Sequence, residues 1–240
     1  MTEHTDDDIT RLIRQGIDLC WSGKDREAEP FFRSALDLAE KLCGHDAPEV
    51  IKSLFWLSRS VAPPDSLDPA ENRAAITLLQ RALKIAEATL GIDAKRNINL
   101  LQAIANRLST IGEHEEAREH LMRALRLSEA HSGDGGDTVL ILDSLVLNLL
   151  KLQRHAEALP YAERTLRLQE LRTTELAHVG IGWAGRSLGI CLMALGRNEE
   201  AIQHFERCLS LLKSKRPDRK LIFEDEMLGW IDELRKRAPR

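Results

Sequence analysis

One short residue pattern recurs five times along the 240-residue chain and constrains its fold more than any other feature. Each copy has an alanine, then a residue four positions later that is bulky in four of the five copies, then a small residue three positions after that. The copies are Ala28/Phe32/Ala35, Ala75/Leu79/Ala82, Ala117/Leu121/Ala124, Ala158/Ala162/Thr165 and Ala201/Phe205/Cys208. Their first members lie 47, 42, 41 and 43 residues apart, which predicts a tandem array of equivalent units.

The spacing of four and three residues predicts that each copy lies on a helix. It puts the three positions on one stripe, where small side chains let a neighbouring helix approach closely. An apolar-periodic segment precedes each copy, and in the first, third and fifth units it ends at Gly23, Gly112 and Gly196. Glycine permits the left-handed backbone that ends a helix before a turn. Each unit is therefore predicted to be a helical hairpin whose second helix carries the recurring stripe.

Composition and charge agree with a helical protein and narrow its partners. Aromatic residues make up only 4% of the chain, which favours helices over strands. The formal net charge of -4 supplies no general field for a polyanion, so we do not expect nucleic acid as a partner. No apolar run reaches the roughly 20 residues that span a bilayer, so we expect no membrane partner. Acidic residues near the N-terminus replace the basic residues of a secretory signal, and we expect a cytoplasmic protein.

The repeated pattern resembles the tetratricopeptide repeat (TPR), whose signature is a Leu-Gly/Ala step, a turn glycine, an alanine, an aromatic residue or leucine, and a second small residue. The fifth unit fits this signature best, with Leu188, Gly189, Gly196, Ala201, Phe205 and Cys208. A period of about 42 residues, where the common repeat has 34, is similar to the kinesin-light-chain-like subclass. This resemblance implies longer helices and a protein that binds peptide segments.

The expected fold is all-α, a right-handed α-solenoid of about five TPR-like helical hairpins plus a C-terminal capping helix. We expect a flexible acidic N-terminus at residues 1–6 and a capping helix with a tail at residues 220–240. The five repeats are expected at about residues 7–46, 47–93, 94–134, 135–174 and 175–219. The second repeat is irregular, because Pro63 and Pro64 interrupt it where the other units use a short turn.

No motif in the chain predicts catalysis, a cofactor or a metal site. Residues 180–185 match the spacing G-x-G-x-x-G, but a dinucleotide site needs a βαβ unit, which the chain does not offer. His114 and His120 are six residues apart, which turns their side chains away from each other on a helix. A Walker loop and a serine–histidine–acid arrangement are also missing from the sequence pattern. We therefore expect a protein that is not an enzyme and has no cofactor.

The stacking of hairpins predicts that the first helices line a concave surface, where a peptide or partner protein binds. Asparagine and glutamine amides there suit the backbone of an extended peptide, and the cations suit acidic groups on it. The predicted binding residues are Lys52, Phe55, Arg59, Asn99, Gln102, Asn106, Asp143, Lys151 and Arg186.

Two other classes of function remain open at this point. A dedicated regulator or immunity-type protein would bind and inhibit one enzyme or toxin through the ends of the array or its outer face. An enzyme would require polar residues from several repeats to converge in the concavity. Self-association through the ends of the solenoid is a further possible kind of partnership.

Overall fold

A computed structural model describes residues 3–172, 177–215 and 223–237 of the protein. These residues form helices and their connections, without a strand, as predicted. The helices are α1 (Glu3–Trp21), α2 (Asp25–Cys43), α3 (Val50–Val61), α4 (Pro69–Leu90), α5 (Arg96–Thr110), α6 (His114–Ser132), α7 (Gly136–Lys151), α8 (His155–Glu170), α9 (Ala177–Ala194), α10 (Asn198–Lys215) and α11 (Glu224–Arg237).

The helices belong to two compact units. Unit 1 (Met1–His131) contains α1 to α6, and unit 2 (Ser132–Arg240) contains α7 to α11. The helices follow one another in pairs, and ten of them fall one pair to each predicted repeat. The first helix, α1, begins at Glu3.

The recurring stripe forms the centre of the packing in both units. Every residue of its five copies is buried. Glycines on the first helices lie against these residues within their own hairpins. A Cβ added at Gly16 would lie only 2.5 Å from Cε1 of Phe32, and one added at Gly189 would collide with the ring of Phe205. The aromatic member of the stripe therefore requires glycine opposite it on the first helix.

The turns inside four hairpins share one hydrogen-bond pattern. In the third hairpin the Gly112 N–H donates to Ser109 O (3.2 Å) and the Glu113 N–H donates to Leu108 O (2.9 Å), with Gly112 at a positive φ of 84°. The fourth hairpin makes the same two bonds through Gln153 and Arg154, and Gln153 takes the positive φ (57°). This turn keeps its geometry without a glycine, which is why no turn glycine marks it in the sequence.

The second hairpin contains the predicted proline interruption, between the end of α3 and the start of α4. The Asn72 side-chain amide donates to Ser66 O (3.1 Å) and Asp68 O (2.9 Å), which closes the loop onto α4. The Asp68 carboxylate accepts from the Ala70 N–H (2.8 Å) and caps α4, whose first residue is Pro69. The loop is thus held by specific bonds on the side that faces α4.

Within unit 1 and within unit 2, successive second helices are joined by arginine–glutamate pairs that the sequence analysis missed. Arg81 of α4 contacts Glu40 of α2 (2.7 Å), and Arg207 of α10 contacts Glu170 of α8 (2.9 Å). Arg123 of α6 likewise contacts Glu87 of α4 (2.6 Å). Each arginine directly precedes the last residue of the stripe copy on its own helix. Each glutamate lies five positions after the last residue of the copy on its own helix.

Helix α11 packs on the last hairpin of unit 2. Its apolar stripe buries Met227, Ile231 and Leu234. The Trp230 ring lies 5.4 Å from that of Phe205 on α10. Ahead of the helix, the Phe223 ring meets Trp183 on α9 edge-on at 4.6 Å. The apolar surface of the last hairpin is therefore covered by a single helix.

Candidate peptide-binding face of helices α3 and α5

Six of the predicted binding residues lie together in unit 1. We call them the α3–α5 face: Lys52, Phe55 and Arg59 on α3, and Asn99, Gln102 and Asn106 on α5. Spacings of three and four residues put each set on one side of its helix. The two asparagines and the lysine are exposed, and the other three side chains are half-buried. Their polar groups are therefore accessible to a ligand.

A cavity of about 210 Å³ lies at one end of this face. Its lining residues are Ile51, Lys52, Phe55, Arg96, Asn99 and Leu100. The apolar residues form its floor, because Ile51 and Leu100 are buried core residues. Two cations and one amide surround an apolar floor, which suits a short side chain with a polar or acidic neighbour.

A larger cavity of about 460 Å³ shares Phe55 with the smaller one. Its lining residues are Phe55, Trp56, Ser58, Arg59, Pro64, Leu79, Ala103, Asn106, Arg107 and Thr110. Pro64 belongs to the interrupting loop of the second hairpin, so this loop forms one wall. Because both cavities include Phe55, they adjoin along the α3–α5 face. Five of the six residues of the face line one cavity or the other, and Gln102 lines neither.

Aromatic packing fixes the residue at the junction of the two cavities. The Phe55 ring meets the Trp56 ring edge-on, with 5.8 Å between centroids. Trp56 in turn stacks on the buried ring of Phe32, at 5.9 Å and an interplanar angle of 20°. A half-buried aromatic ring that is held from behind offers apolar contact area at a low cost in side-chain entropy.

The charge on this face comes from arginines with different partners. Arg59 donates through Nε to Oδ1 of Asp25 on α2 (2.9 Å). Arg107 is half-buried, and this burial lowers the pKa of its guanidinium below the ordinary value. The positive charge of Arg59 lowers the pKa further, whereas the negative charge of Asp25 raises it. Two cations with one nearby carboxylate make the larger cavity electropositive.

The predicted residues in unit 2 have different surroundings. Asp143 of α7 is half-buried and accepts a hydrogen bond from Nε2 of Gln169 on α8 (3.3 Å). Burial raises the pKa of Asp143 to about 6, although this hydrogen bond and the charge of Arg172 act to lower it. Lys151 is exposed at the end of α7.

Arg186 of α9 is paired with an acidic residue of α11. Its Nε and Nη2 donate to the two carboxylate oxygens of Glu226 (2.8 and 2.9 Å). Its guanidinium also lies 5.3 Å from the centre of the Phe223 ring and 5.6 Å from that of Trp230. The fold itself supplies an acid for Arg186, and pairing of Arg186 with an acid on a ligand stays a prediction.

Two residues of the site, Arg107 and Trp56, were absent from the sequence-based set. Each directly follows a predicted member, Asn106 and Phe55 respectively, so helical periodicity alone assigns it to a different side of its helix. The available signal was the proline insertion. A loop longer than those of the other units requires its own hydrogen-bond partners, and Arg107 is one of them, donating through Nη1 to Pro63 O (3.2 Å).

The glycine-rich run in α9 has a packing role. A Cβ at Gly180 would collide with the Gln169 side chain of α8, and one at Gly185 with the thiol of Cys208 on α10. Gly185 thus permits close packing within its own hairpin, and Gly180 permits close packing against the preceding hairpin. Both glycines are explained by helix packing.

Comparison with known proteins agrees with this fold. Tetratricopeptide repeat family models match residues 16–49, 71–130 and 137–214. The chain belongs to the tetratricopeptide repeat family. None of the curated proteins compared with it is significantly similar in sequence.

Several solved structures share the fold at low sequence identity. A kinesin-light-chain-type protein of Podosopora anserina with nearly identical TPR-like repeats is 16% identical, with a TM-score of 0.74, and the match covers 91% of this chain and 100% of that one. BtubC (BKLC) of P. vanneervenii is 15% identical with a TM-score of 0.66, covering 99% and 94% of the two chains. A MamA protein is 16% identical with a TM-score of 0.62, covering 90% and 98%. These matches confirm the all-α solenoid class and the kinesin-light-chain-like form of the repeats.

Two features are missing from the described part of the chain. Among its helices, none combines the length and hydrophobicity that crossing a membrane requires. Among its histidine, cysteine and acidic side chains, no group is arranged to hold a metal ion.

Proposed function

We propose that the protein is a non-catalytic scaffold that binds a peptide segment, or a partner protein through such a segment, along the α3–α5 face. Tetratricopeptide repeats generally mediate protein–protein interactions. The observation that carries the proposal is the pair of adjoining cavities that share Phe55 and are lined by amides and cations. An extended peptide has backbone polar groups that the amides can bond and alternating side chains that can enter the two cavities.

Each part of the face has a role in this proposal. The amides of Asn99 and Asn106 are exposed and bond the peptide backbone, since each amide both donates and accepts. Phe55 contacts an apolar side chain of the ligand at the junction of the cavities. Lys52 pairs with an acidic group outside the smaller cavity. The binding is expected in the cytoplasm, where buried thiols such as those of Cys191 and Cys208 stay reduced.

A peptide library displayed on phage and selected against the whole protein tests this function. The dissociation constant of a selected peptide is then measured by fluorescence polarisation for the protein and for the variant Phe55→Ala/Asn99→Ala/Asn106→Ala. We expect at least a tenfold weaker complex for the variant, because an aromatic anchor and two amides are lost. Gln80→Ala/Lys84→Ala, two exposed positions on α4, serves as the control and keeps full affinity.

Equal affinity of both variants would refute binding on the α3–α5 face. If a protein partner were then found to retain its affinity and to bury about 1,600 Å² or more, the regulator or immunity-type function would be the better account.

A further inference from the structure

A third cavity, of about 310 Å³, lies on the second-helix side of unit 1, between α4 and α6. We call it the α4–α6 cleft, and its lining residues are Arg73, Ile76, Thr77, Gln80, Leu108, Glu113 and Glu116. None of these residues belongs to the α3–α5 face, so the cleft is separate from the proposed peptide site. Its volume is at the lower end of the range for ligand pockets, about 300–1,000 Å³, and suits a single side chain.

The cleft has an apolar floor and a polar rim. Ile76 and Leu108 are buried core residues and form the floor. On the rim, the Thr77 hydroxyl donates its proton to Arg73 O (3.0 Å) and keeps its lone pairs for a ligand. Gln80 is exposed and presents an amide oxygen. A ligand with an apolar stem and a polar end matches this arrangement.

The rim carries one more negative charge than positive charge. Glu113 and Glu116 supply two carboxylates, and Arg73 supplies one guanidinium. Arg73 donates through Nη2 to Oε1 of Glu113 (2.7 Å), so these two charges offset each other. The carboxylate of Glu116, whose side chain is half-exposed, is left to attract a cation from outside the fold.

The neighbouring histidine on α6 does not neutralise Glu116 at neutral pH. Nε2 of His120 lies 3.9 Å from Oε1 of Glu116, which is too long for a hydrogen bond. Burial lowers the pKa of His120 below its ordinary value of 6.5, although the negative charge of Glu116 acts to raise it. The imidazole is therefore uncharged at neutral pH, and the cleft keeps its excess of negative charge.

We propose that the α4–α6 cleft is a second binding site, which takes a lysine side chain of a partner protein. The methylene stem of the lysine lies on Ile76 and Leu108. Its ammonium group meets the carboxylate of Glu116, with Gln80 and Thr77 as further acceptors. An ammonium suits this rim better than a planar guanidinium does, because its three donors point in different directions, toward acceptors on both α4 and α6.

The cleft goes beyond the proposed function and does not depend on it. The α3–α5 face is lined by cations and amides, whereas the cleft has an excess of negative charge. The two sites therefore select groups of opposite charge and lie on helices of different sides of the hairpins. One molecule could thus join two partners that do not compete with each other.

Titration with a model side chain tests the cleft in the whole protein. Nα-acetyl-lysine amide is added at constant ionic strength, and the methyl resonances of Ile76 and Leu108 are followed by NMR. We expect saturable shifts of these resonances in the unmodified protein. Nα-acetyl-norleucine amide has the same carbon stem without the ammonium group, and it is expected to bind at least about threefold more weakly because the ion pair is lost.

Three variants separate a binding role from a structural one. Glu116→Gln removes the carboxylate that attracts the ammonium group and is expected to weaken binding of the lysine probe about threefold. Arg73→Gln removes the cation of the rim and releases Glu113, so it is expected to strengthen binding by a similar factor. Glu199→Gln makes the same charge change as Glu116→Gln at an exposed position of α10 and leaves the affinity unchanged.

Opposite effects of Glu116→Gln and Arg73→Gln follow from charge and not from a general loss of structure. A linear response to the lysine probe, or equal binding of the norleucine analogue, overturns the site. Lysine-probe binding that is unaltered by Glu116→Gln or weakened by Arg73→Gln overturns it as well.

A final titration tests whether the two sites are separate. The lysine probe is added in the presence of a saturating peptide selected on the α3–α5 face. Probe binding that persists supports two sites, and displacement of the probe by the peptide contradicts them. If the probe fails to bind while Asn99→Ala still weakens the selected peptide, the cleft is wrong and the proposed function stands.

Discussion

The carboxylate of Asp143 is expected to destabilise the folded protein at neutral pH. It is half-buried between α7 and α8, and burial raises its pKa from 3.8 to about 6. The hydrogen bond from Gln169 satisfies one oxygen but does not replace the lost hydration. We predict that Asp143→Asn, which keeps an acceptor for Gln169 and removes the charge, stabilises the protein.

The magnitude follows from the pKa difference. A shift from 3.8 to about 6 corresponds to at most about 3 kcal/mol, because one pKa unit is about 1.4 kcal/mol. The folded pKa lies above the unfolded one, so the folded state binds the proton more tightly. The favourable effect of Asp143 is therefore present below about pH 4 and is lost as the pH rises through 6. The advantage of Asp143→Asn is largest above pH 7 and nearly disappears at about pH 4.

Urea unfolding followed by circular dichroism, at about pH 4 and about pH 7.5, measures this difference. Asp232→Asn, an exposed position on α11, is the control and is expected to change stability little at either pH. If Asp143→Asn were less stable than the unmodified protein at the higher pH, or equally more stable at both, the argument from desolvation would be incorrect.

Two further predictions concern glycine positions. Gln153→Gly is expected to raise the free energy of unfolding by about 1 kcal/mol, since Gln153 has a positive φ. Gly112→Gln in the equivalent turn should lower it. A melting temperature lowered by Gln153→Gly would contradict this. Gly16→Ala is expected to lower the free energy of unfolding by about 1–3 kcal/mol, because the new methyl group would collide with Phe32. Gly229→Ala, which has open space around it, should raise the free energy of unfolding by up to about 1 kcal/mol. Similar thermal melts for these two variants would disprove the packing argument.

Much of the fold was predictable because the same local requirement is repeated. Small residues at Ala28, Ala75 and Ala117 are needed wherever two helices pack closely, so their spacing reported the hairpins directly. The turn at Gln153 was harder to recognise, because backbone hydrogen bonds maintain its conformation without a glycine. A positive φ can be recognised from the sequence where glycine occupies the position, but not where another residue such as Gln153 adopts it.

The binding face was predictable only in part. The positions on α3 and α5 follow from helical periodicity, and Phe55, Asn99 and Asn106 line the two cavities. The environment of Arg186 depends on where α11 packs, and no local pattern in α9 contains that information. Arg107 depends in the same way on the path of the proline loop. Contacts between segments distant in sequence decided both cases.

The arginine–glutamate pairs between successive second helices also give the array a direction. In Arg81–Glu40 and Arg123–Glu87 the later helix always supplies the cation and the earlier one the anion. In the first repeat, Ser34 occupies the position of the arginine. In the fifth repeat, Lys213 occupies the position of the glutamate. An internal hairpin such as α3–α4 carries both an arginine and a glutamate of these pairs. A tandem duplicate of it would therefore meet an oppositely charged partner on each neighbouring hairpin. Gene duplication could lengthen such a protein without new interface mutations, while an inverted order would oppose like charges.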